Sequence, residues 1–310
     1  MNQKEHTHPH HSVEGMNGSK LLWVTLLNLS ITIIEVIGGI VSNSLSLLSD
    51  AIHNLGDSSA IFIAFLAGRR SKKSADESHT FGYKRIEILA ALFNAMVLIA
   101  ICLFLFVEAY RRFIDPQPIK GLIMFVVAGF GLLANLISVL LLNKDKSHNL
   151  NVRAAYLHLL GDTMSSVAVI LGGIAIWQFN IFWIDPLITV LVGIYIIYHT
   201  WNIIKETVDI LMQSTPEHIN VKEIKTEVEK IEGVNDVHHL HIWKLDDTHI
   251  HLETHVNLEN DIDMTEMMKI KSKIDNVLHT KFNISHTTLQ IEFISKNLKK
   301  DLIVKNMDKE

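Results

Sequence analysis

The sequence predicts a membrane bundle of six transmembrane α-helices followed by a cytoplasmic α+β domain of ferredoxin-like αββαβ order. Three observations lead to this fold class. The chain of 310 residues is 48% hydrophobic with a mean hydropathy of +0.25, which a soluble protein of this length rarely reaches. Six segments have the ~20 mostly apolar residues that cross a bilayer. The last third of the chain is instead rich in Lys, Glu and His.

The apolar segments define a transmembrane domain at residues 20–212. A link of only three residues, Ser42-Asn43-Ser44, joins the first two spans into an antiparallel hairpin. The spans are predicted at residues 20–41, 46–68, 86–110, 119–142, 153–178 and 184–212.

The N-terminal tail, residues 1–19, is polar and lacks a signal-peptide pattern, so we predict that it is disordered. Its histidines either bind metal weakly or have no role. They are His6, His8, His10 and His11. Residues 296–310 are mostly charged and are predicted to form a loose C-terminal tail.

Basic residues predict the orientation of the spans. The second link carries Arg69, Arg70, Lys72, Lys73, Lys84 and Arg85, and the fourth carries Lys144, Lys146 and Arg153. The fifth link has none. By the positive-inside rule the second and fourth links are cytoplasmic, and an even number of spans then places both termini in the cytoplasm. The third link departs from this pattern with Arg111, Arg112 and Lys120, but the second and fourth links together carry more positive charge.

Residues 213–295 are predicted to form the α+β domain. Thr215 and Pro216 look like the N-cap and first position of a helix at 217–231, which Gly233 ends. Two strands joined by an Asp246-Asp247 turn, a second helix and a third strand follow. They are predicted at Val234–Leu245, Thr248–Leu258, 263–281 and 286–294.

A His-x-x-x-Asp motif occurs twice, as His53 with Asp57 in the second span and as His158 with Asp162 in the fifth. Residues four apart share one helix face, so two facing helices would offer two imidazoles and two carboxylates to one ion. That set suits a tetrahedral divalent metal, zinc above all. The alternative is that these polar groups satisfy one another in the bundle.

Asp50, one turn before His53, is a candidate partner that orients the imidazole or an outer stop on the metal's path. Because ligands must lose their protons before they bind, metal entry would release protons. A bundle that rocks around such a site would expose it to each side in turn, which is alternating access.

Composition restricts the other classes of function. The net charge of −5 gives no sign of nucleic-acid binding, and the single cysteine, Cys102, leaves metal ligation to His and carboxylates. The chain has no His-Glu-x-x-His run, and four protein ligands leave no position for a catalytic water, so we do not expect an enzyme. A membrane-anchored zinc sensor is the alternative. Intramembrane Asp57 and Asp162 disfavour it, because a mere anchor has no reason to bear their cost.

Seven histidines crowd into the predicted strands of the C-terminal domain, a density that predicts zinc binding. Strand alternation places His249, His251 and His255 on one face, and His239 and His241 together on a face of the neighbouring strand. The alternative is that some are ordinary exposed residues.

These features in this order resemble the cation diffusion facilitators, in particular bacterial zinc, cadmium and cobalt efflux proteins. The resemblance covers residues 20–295 and includes Ser49-Asp50-Ala51, Phe81-Gly82-Tyr83, Asn151-Val152-Arg153-Ala154-Ala155 and His238-His239-Leu240-His241-Ile242-Trp243. It implies a homodimeric zinc/proton antiporter of the bacterial cytoplasmic membrane, without nucleic-acid partners. Cd²⁺, Co²⁺ and Fe²⁺ are further candidate ions, because His/carboxylate sites bind several metals.

The resemblance also implies residue roles. It maps a metal site in the loop after the second span onto Asp76 and His79, with Tyr83 where some relatives have a further His; a solvated loop is the alternative. It maps an interhelical ion pair onto Arg85 and Asp209. It maps regulatory metal binding in the C-terminal domain onto His238, His251, His255, His286 and Glu292.

Overall fold

The computed structural model describes residues 18–71, 73–142, 150–293 and 301–303. Within helices, it leaves undescribed the side chains of residues 18–28, 57, 60–62, 64–65, 141–142 and 150–159. The predicted N-terminal histidine cluster lies outside the described residues. The chain divides into two compact units, which are taken separately: Met1–Ser71 with Leu89–Lys205, and Lys72–Ile88 with Glu206–Glu310.

Each of the six predicted spans is a helix. They are α1 (Gly18–Ser42), α2 (Leu45–Ser71), α3 (Arg85–Ile114), α4 (Gly121–Leu142), α5 (Leu150–Phe179) and α6 (Ile184–Leu211). Over the described residues, four stretches are long and apolar enough to cross a membrane: Arg85–Ile114, Gly121–Leu140, Leu160–Phe179 and Ile184–Leu211. The described part of α1 adds a shorter apolar stretch, Leu29–Ser42. α2 is less apolar because it carries the polar residues of the predicted metal site.

Small residues let the helices of the first unit approach closely. In the α1–α2 hairpin, a Cβ on Gly39 would lie 3.1 Å from Leu48 N, and between α4 and α5 a Cβ on Gly173 would lie 3.0 Å from Phe125 N. Large apolar side chains such as Phe104 and Leu171 point outward, 67% and 61% exposed. Lipid chains would cover such a surface, whereas a soluble monomer rarely exposes so much of it.

A buried carboxylate connects α6 to the start of α2. Asp185, in the first turn of α6, accepts hydrogen bonds from Leu45 N at 2.8 Å and Ser46 N at 3.1 Å. The hydroxyls of Ser44 and Ser46 each donate to Asp185 Oδ1 at 2.6 Å. Asp185 therefore acts as an N-cap supplied by another helix, and its charge complements the positive end of the α2 dipole.

The second unit contains α7 (Val221–Glu229), β1 (Val234–Lys244), β2 (Ile250–Leu258), α8 (Met264–Phe282) and β3 (His286–Glu292). The predicted αββαβ order is therefore present. The strands form a mixed sheet in the order β1-β2-β3, with β1 and β2 antiparallel and β2 and β3 parallel. Apolar side chains of both helices pack on one face of the sheet, around Ile224, Val237, Leu252 and Ile274. The other face carries histidines.

The first helix of this unit begins later than predicted. Its N-cap is Asn220, whose side chain accepts a hydrogen bond from Lys222 N at 3.0 Å, and not Thr215. Pro216 instead belongs to a preceding turn, because its carbonyl accepts from Ile219 N. Gly233, with φ +93°, lies in the turn into β1 and does not end the helix, which stops at Glu229.

Part of the predicted loose C-terminal tail is ordered. Asp301 O accepts a hydrogen bond from His239 N, and Leu302 O accepts one from Leu240 N. The Leu302 side chain also packs against the core of this unit. The charged composition hides this short contact, because one apolar residue and two backbone carbonyls are enough to make it.

Candidate metal sites

The structure brings one residue from each His-x-x-x-Asp motif together. His53 Nε2 of α2 lies 3.1 Å from Asp162 Oδ1 of α5, and the two residues are 6% and 2% exposed. The side chains of Asp57 and His158 lie outside the described residues. Half of the predicted ligand set is therefore observed in contact, in the buried interior of the first unit.

The register between α2 and α5 extends this observation. Asp50 lies three residues before His53, and it meets Ser165, three residues after Asp162. Both contacts fit one antiparallel alignment of the two helices. If the same alignment continues one turn toward the C-terminal end of α2, position 57 lies opposite position 158. Residues four apart share one helix face, so these two positions lie on the same faces as His53 and Asp162.

Asp50, predicted either to orient the His53 imidazole or to act as an outer stop on the metal's path, accepts hydrogen bonds from residues of α5. Its Oδ1 accepts a hydrogen bond from Ser165 Oγ at 2.5 Å and its Oδ2 accepts one from Ser166 Oγ at 3.2 Å. Both hydroxyls belong to α5, so Asp50 fastens the two helices together beside the site. The sequence alone could not show this, because serines give no periodic signal in an apolar span.

Two other residues beside this site carried little signal in the sequence. The Tyr195 ring of α6 meets the His53 ring edge-on, with centroids 6.3 Å apart. The Tyr195 hydroxyl lies against Gly161, where a side chain would leave no space for it. Asn54, which follows His53, donates from Nδ2 to Glu35 Oε2 of α1 at 2.9 Å.

The loop residues Asp76 and His79 form a turn. Asp76 Oδ1 accepts from Ser78 N at 3.1 Å and His79 N at 2.9 Å, and Oδ2 accepts from Tyr83 Oη at 2.8 Å. The hydroxyl of Tyr83, with help from Lys73, lowers the pKa of the Asp76 carboxyl. The carboxylate thus already has protein donors on both oxygens. The His79 ring stacks on Tyr83, with centroids 4.4 Å apart.

In the second unit, His238, His255 and Glu292 offer ligand atoms that all lie within 4.8 Å of one another. His255 Nδ1 lies 2.7 Å from Glu292 Oε1, and His238 Nε2 lies 3.7 Å from Glu292 Oε2. Two imidazoles and a carboxylate are a ligand set that suits zinc. This cluster contains three of the five residues predicted for the domain.

A carboxylate beneath this cluster fixes the orientation of one imidazole. Asp236 Oδ2 lies 3.1 Å from His238 Nδ1, and Lys225 Nζ donates to Asp236 Oδ1 at 2.6 Å. A carboxylate on Nδ1 favours the tautomer whose Nε2 lone pair is free for a metal. Asp236 was not predicted from the sequence, although its place two residues before a histidine in a strand is a usable signal.

His251 and His286 form a separate pair. They face each other across the parallel β2–β3 register with ring centroids 5.0 Å apart. Trp243 stacks on His251 at 5.7 Å, and Phe81 meets it edge-on at 5.6 Å. Partial burial, followed by the proximity of His286, lowers the pKa of His251. That favours the neutral form that binds metals.

Strict strand alternation fails in β1 because of a bulge between His238 and His241, where His239 has φ +50°. The extra residue places both His238 and His241 opposite residues of one β2 face, His255 and Glu253. The His239 ring stacks on His255, with centroids 4.6 Å apart. His249 lies in the turn before β2, where its Nδ1 is 2.8 Å from Asp246 Oδ1, and not in the strand as predicted.

Arg85 and Asp209 both lie in the second unit, but none of the ion pairs recorded for the described residues joins them. Asp209 Oδ1 accepts from Ser214 Oγ at 3.5 Å, and Arg85 Nε is buried without a hydrogen bond. The ion pair suggested for these two residues is therefore not seen within this single chain.

Known proteins resemble this chain along most of its length. Residues 21–212 match the cation efflux transmembrane domain, and residues 216–294 match the cytoplasmic domain of cation efflux proteins. The metal cation efflux system protein CzcD of Cupriavidus metallidurans is 38% identical over 93% of this chain and 89% of that protein. The cadmium, cobalt and zinc/H⁺-K⁺ antiporter of Bacillus subtilis is 38% identical over 91% of each chain.

The zinc transporter ZitB of Escherichia coli is 34% identical over 93% of this chain and 92% of that protein. A solved structure, the metal-bound C-terminal domain of the CzcD transporter from Cupriavidus metallidurans, is 28% identical. The match covers 24% of the present chain and 99% of the solved domain, with a TM-score of 0.22.

Proposed function

This chain belongs to the cation efflux family, and we propose that it exports zinc across a bacterial cytoplasmic membrane in exchange for protons. The observation that carries the proposal is the contact of His53 with Asp162, one residue from each copy of the motif, inside an apolar helix bundle. Asp57 and His158 complete the proposed site. Two carboxylates would balance the charge of a divalent ion, and two imidazoles favour zinc over Mg²⁺ or Ca²⁺.

Proton exchange follows from the ligand chemistry. Imidazoles and carboxylates release protons when zinc binds and regain them when it leaves, so transport and proton movement are coupled at one site. The name of the Bacillus subtilis relative, a zinc/H⁺-K⁺ antiporter, supports this assignment. The same relative's name also includes cadmium and cobalt, which supports them as alternative ions. Fe²⁺ is a further candidate on the chemistry of His/carboxylate sites alone.

We further propose that all six helices cross the membrane with both termini in the cytoplasm, and that rocking of the bundle alternately exposes the site. The short α1–α2 link and the positive charge of the second link support this topology. α2 can cross the membrane although it carries polar residues, because these residues would be buried against α5 and would not face lipid.

The C-terminal domain is proposed to bind regulatory zinc and to form a homodimer. The cluster of His238, His255 and Glu292 supports metal binding. The match of residues 216–294 to a family model named for dimers supports association of two copies.

Purified protein in vesicles with an imposed pH gradient tests the proposal. Wild type should take up zinc against its gradient at the expense of the pH gradient, and Asp57→Ala and Asp162→Ala should each abolish this uptake. Asp115→Ala, an exposed aspartate in the link between α3 and α4, is the matched control. Normal zinc uptake by both site variants would refute the proposed site. Zinc binding by wild type without any transport would favour the zinc-sensor alternative.

A further inference from the structure

Glu35 of α1 is a buried carboxyl that the proposed transport site does not use. It is 0% exposed, and none of the ion pairs recorded for the described residues includes it. Its Oε2 accepts one hydrogen bond, from Asn54 Nδ2 at 2.9 Å. Its Oε1 faces α4 at Gly131, where an added Cβ would overlap it. An ionised carboxylate in such surroundings is costly unless a cation or a proton neutralises it.

The unsatisfied atoms of this pair are complementary. Glu35 Oε1 and Asn54 Oδ1 are both buried and both lack a hydrogen-bond partner. Both are acceptors while Glu35 is ionised, so neither can serve the other. One proton on Oε1 creates the missing donor, and a carboxylic acid and an amide can then exchange two hydrogen bonds.

We propose that Glu35 holds a counter-transported proton, with Asn54 as the amide that stabilises its protonated form. The proposal rests on the proposed zinc transport. Asn54 directly follows His53 on α2, so a helix movement that accompanies zinc binding at His53 would also move the amide away from, or toward, Glu35.

The charges around Glu35 link its proton to zinc. Among the described side chains, the titratable groups that act on it are Asp50 and His53 from α2 and Asp162 from α5. From α4, the uncharged Gly131 lies against it. While no metal is present, the carboxylates repel a further negative charge and keep the proton on Glu35. Zn²⁺ brings two positive charges and the O–H bond of Glu35 breaks, so one positive charge leaves as a proton. Zinc release reverses both changes.

Glu35→Gln tests this proposal, because its amide reproduces the hydrogen bonds of the protonated acid but cannot release a proton. Vesicles carrying a zinc dye and a pH dye report the protons moved per zinc. In Glu35→Gln, zinc flux should persist while the ratio falls by the proton that Glu35 carries, and Glu87→Gln, an exposed glutamate, should match wild type. An unchanged ratio in Glu35→Gln overturns the proposal. Absence of zinc transport in wild type would instead defeat the proposed function.

Infrared difference spectra of the wild type provide a test that needs no folded variant. Addition of zinc should remove the carbonyl band of a protonated carboxyl. The absence of a zinc-sensitive band of this kind would overturn the proposal. Replacing K⁺ with choline distinguishes a proton from K⁺ as the cation that neutralises Glu35. Gradient-driven flux that requires K⁺, and loses this requirement in Glu35→Gln, would assign a monovalent metal ion and not a proton to this site.

Discussion

Asp236 holds His238 from below, with Asp236 Oδ2 3.1 Å from His238 Nδ1, and thereby directs His238 Nε2 toward Glu292. Lys225 neutralises the Asp236 carboxylate from the opposite side at 2.6 Å. The Nε2 atom of His238 is thus directed into the cluster by residues outside the cluster, which makes this pair a sensitive point of the proposed zinc site.

Asp236→Asn should weaken zinc binding by the C-terminal domain about 10- to 100-fold, because loss of a carboxylate behind a ligating imidazole typically has this effect. Titration of the purified full chain against a competing zinc chelator measures the change. Asp261→Asn, an exposed aspartate, is the control. Equal zinc affinity in wild type and Asp236→Asn would show that the carboxylate does not orient His238.

The two histidine groups should respond separately to substitution. His255→Ala should abolish zinc binding at the cluster that it forms with His238 and Glu292. His251→Ala should reduce zinc binding only at the pair that it forms with His286. If zinc here regulates transport, each change shifts the zinc concentration for half-maximal flux while the proton-to-zinc ratio stays constant. His218→Ala, an exposed histidine outside both groups, is the control. Unaltered concentration dependence in both variants would argue against regulation.

Asp185→Ala should destabilise the transmembrane bundle by about 1–3 kcal/mol, because it removes the cap of α2 and leaves two backbone donors without partners. Thermal unfolding in detergent, followed by circular dichroism, measures this loss. Asp115→Ala should leave the unfolding temperature unchanged. If Asp185→Ala unfolds at the same temperature as wild type, α2 does not depend on this interhelical cap.

Tyr83→Phe should raise the pKa of Asp76, because the Tyr83 hydroxyl is the main cause of its low value. A carboxyl with a lowered pKa in the folded protein stabilises its turn above the unfolded pKa of about 3.9 and loses this effect as the pH falls through the folded pKa. In Tyr83→Phe the turn should therefore open at a higher pH within the acidic range.

The carboxyl carbon shift of ¹³C-labelled Asp76 against pH reports this titration, and Tyr110→Phe, an exposed tyrosine, is the control. Zinc stoichiometry should not change in Asp76→Asn, because the Asp76 oxygens already bond to protein donors. Loss of one bound zinc in Asp76→Asn would contradict this structural role and favour the loop metal site.

Local patterns determined much of what is observed. The apolar segments predicted all six long helices to within a few residues, since a membrane or core helix needs a run of apolar side chains whatever its neighbours are. Alternation and turn residues likewise predicted three strands and α8. The helix start at Asn220 was missed because Pro216 gave a stronger local signal, although that signal belongs to a turn.

The repeated His-x-x-x-Asp spacing by itself determined where a metal site should be sought, because four residues make one helical turn. Only the tertiary structure decided which partners meet. It paired His53 with Asp162 and Asp50 with Ser165, and it left Glu35 facing Asn54. The β1 bulge placed His238 and His241 opposite one face of β2. These contacts join residues far apart in the chain, and their geometry depends on helix register and packing, which no local sequence period encodes.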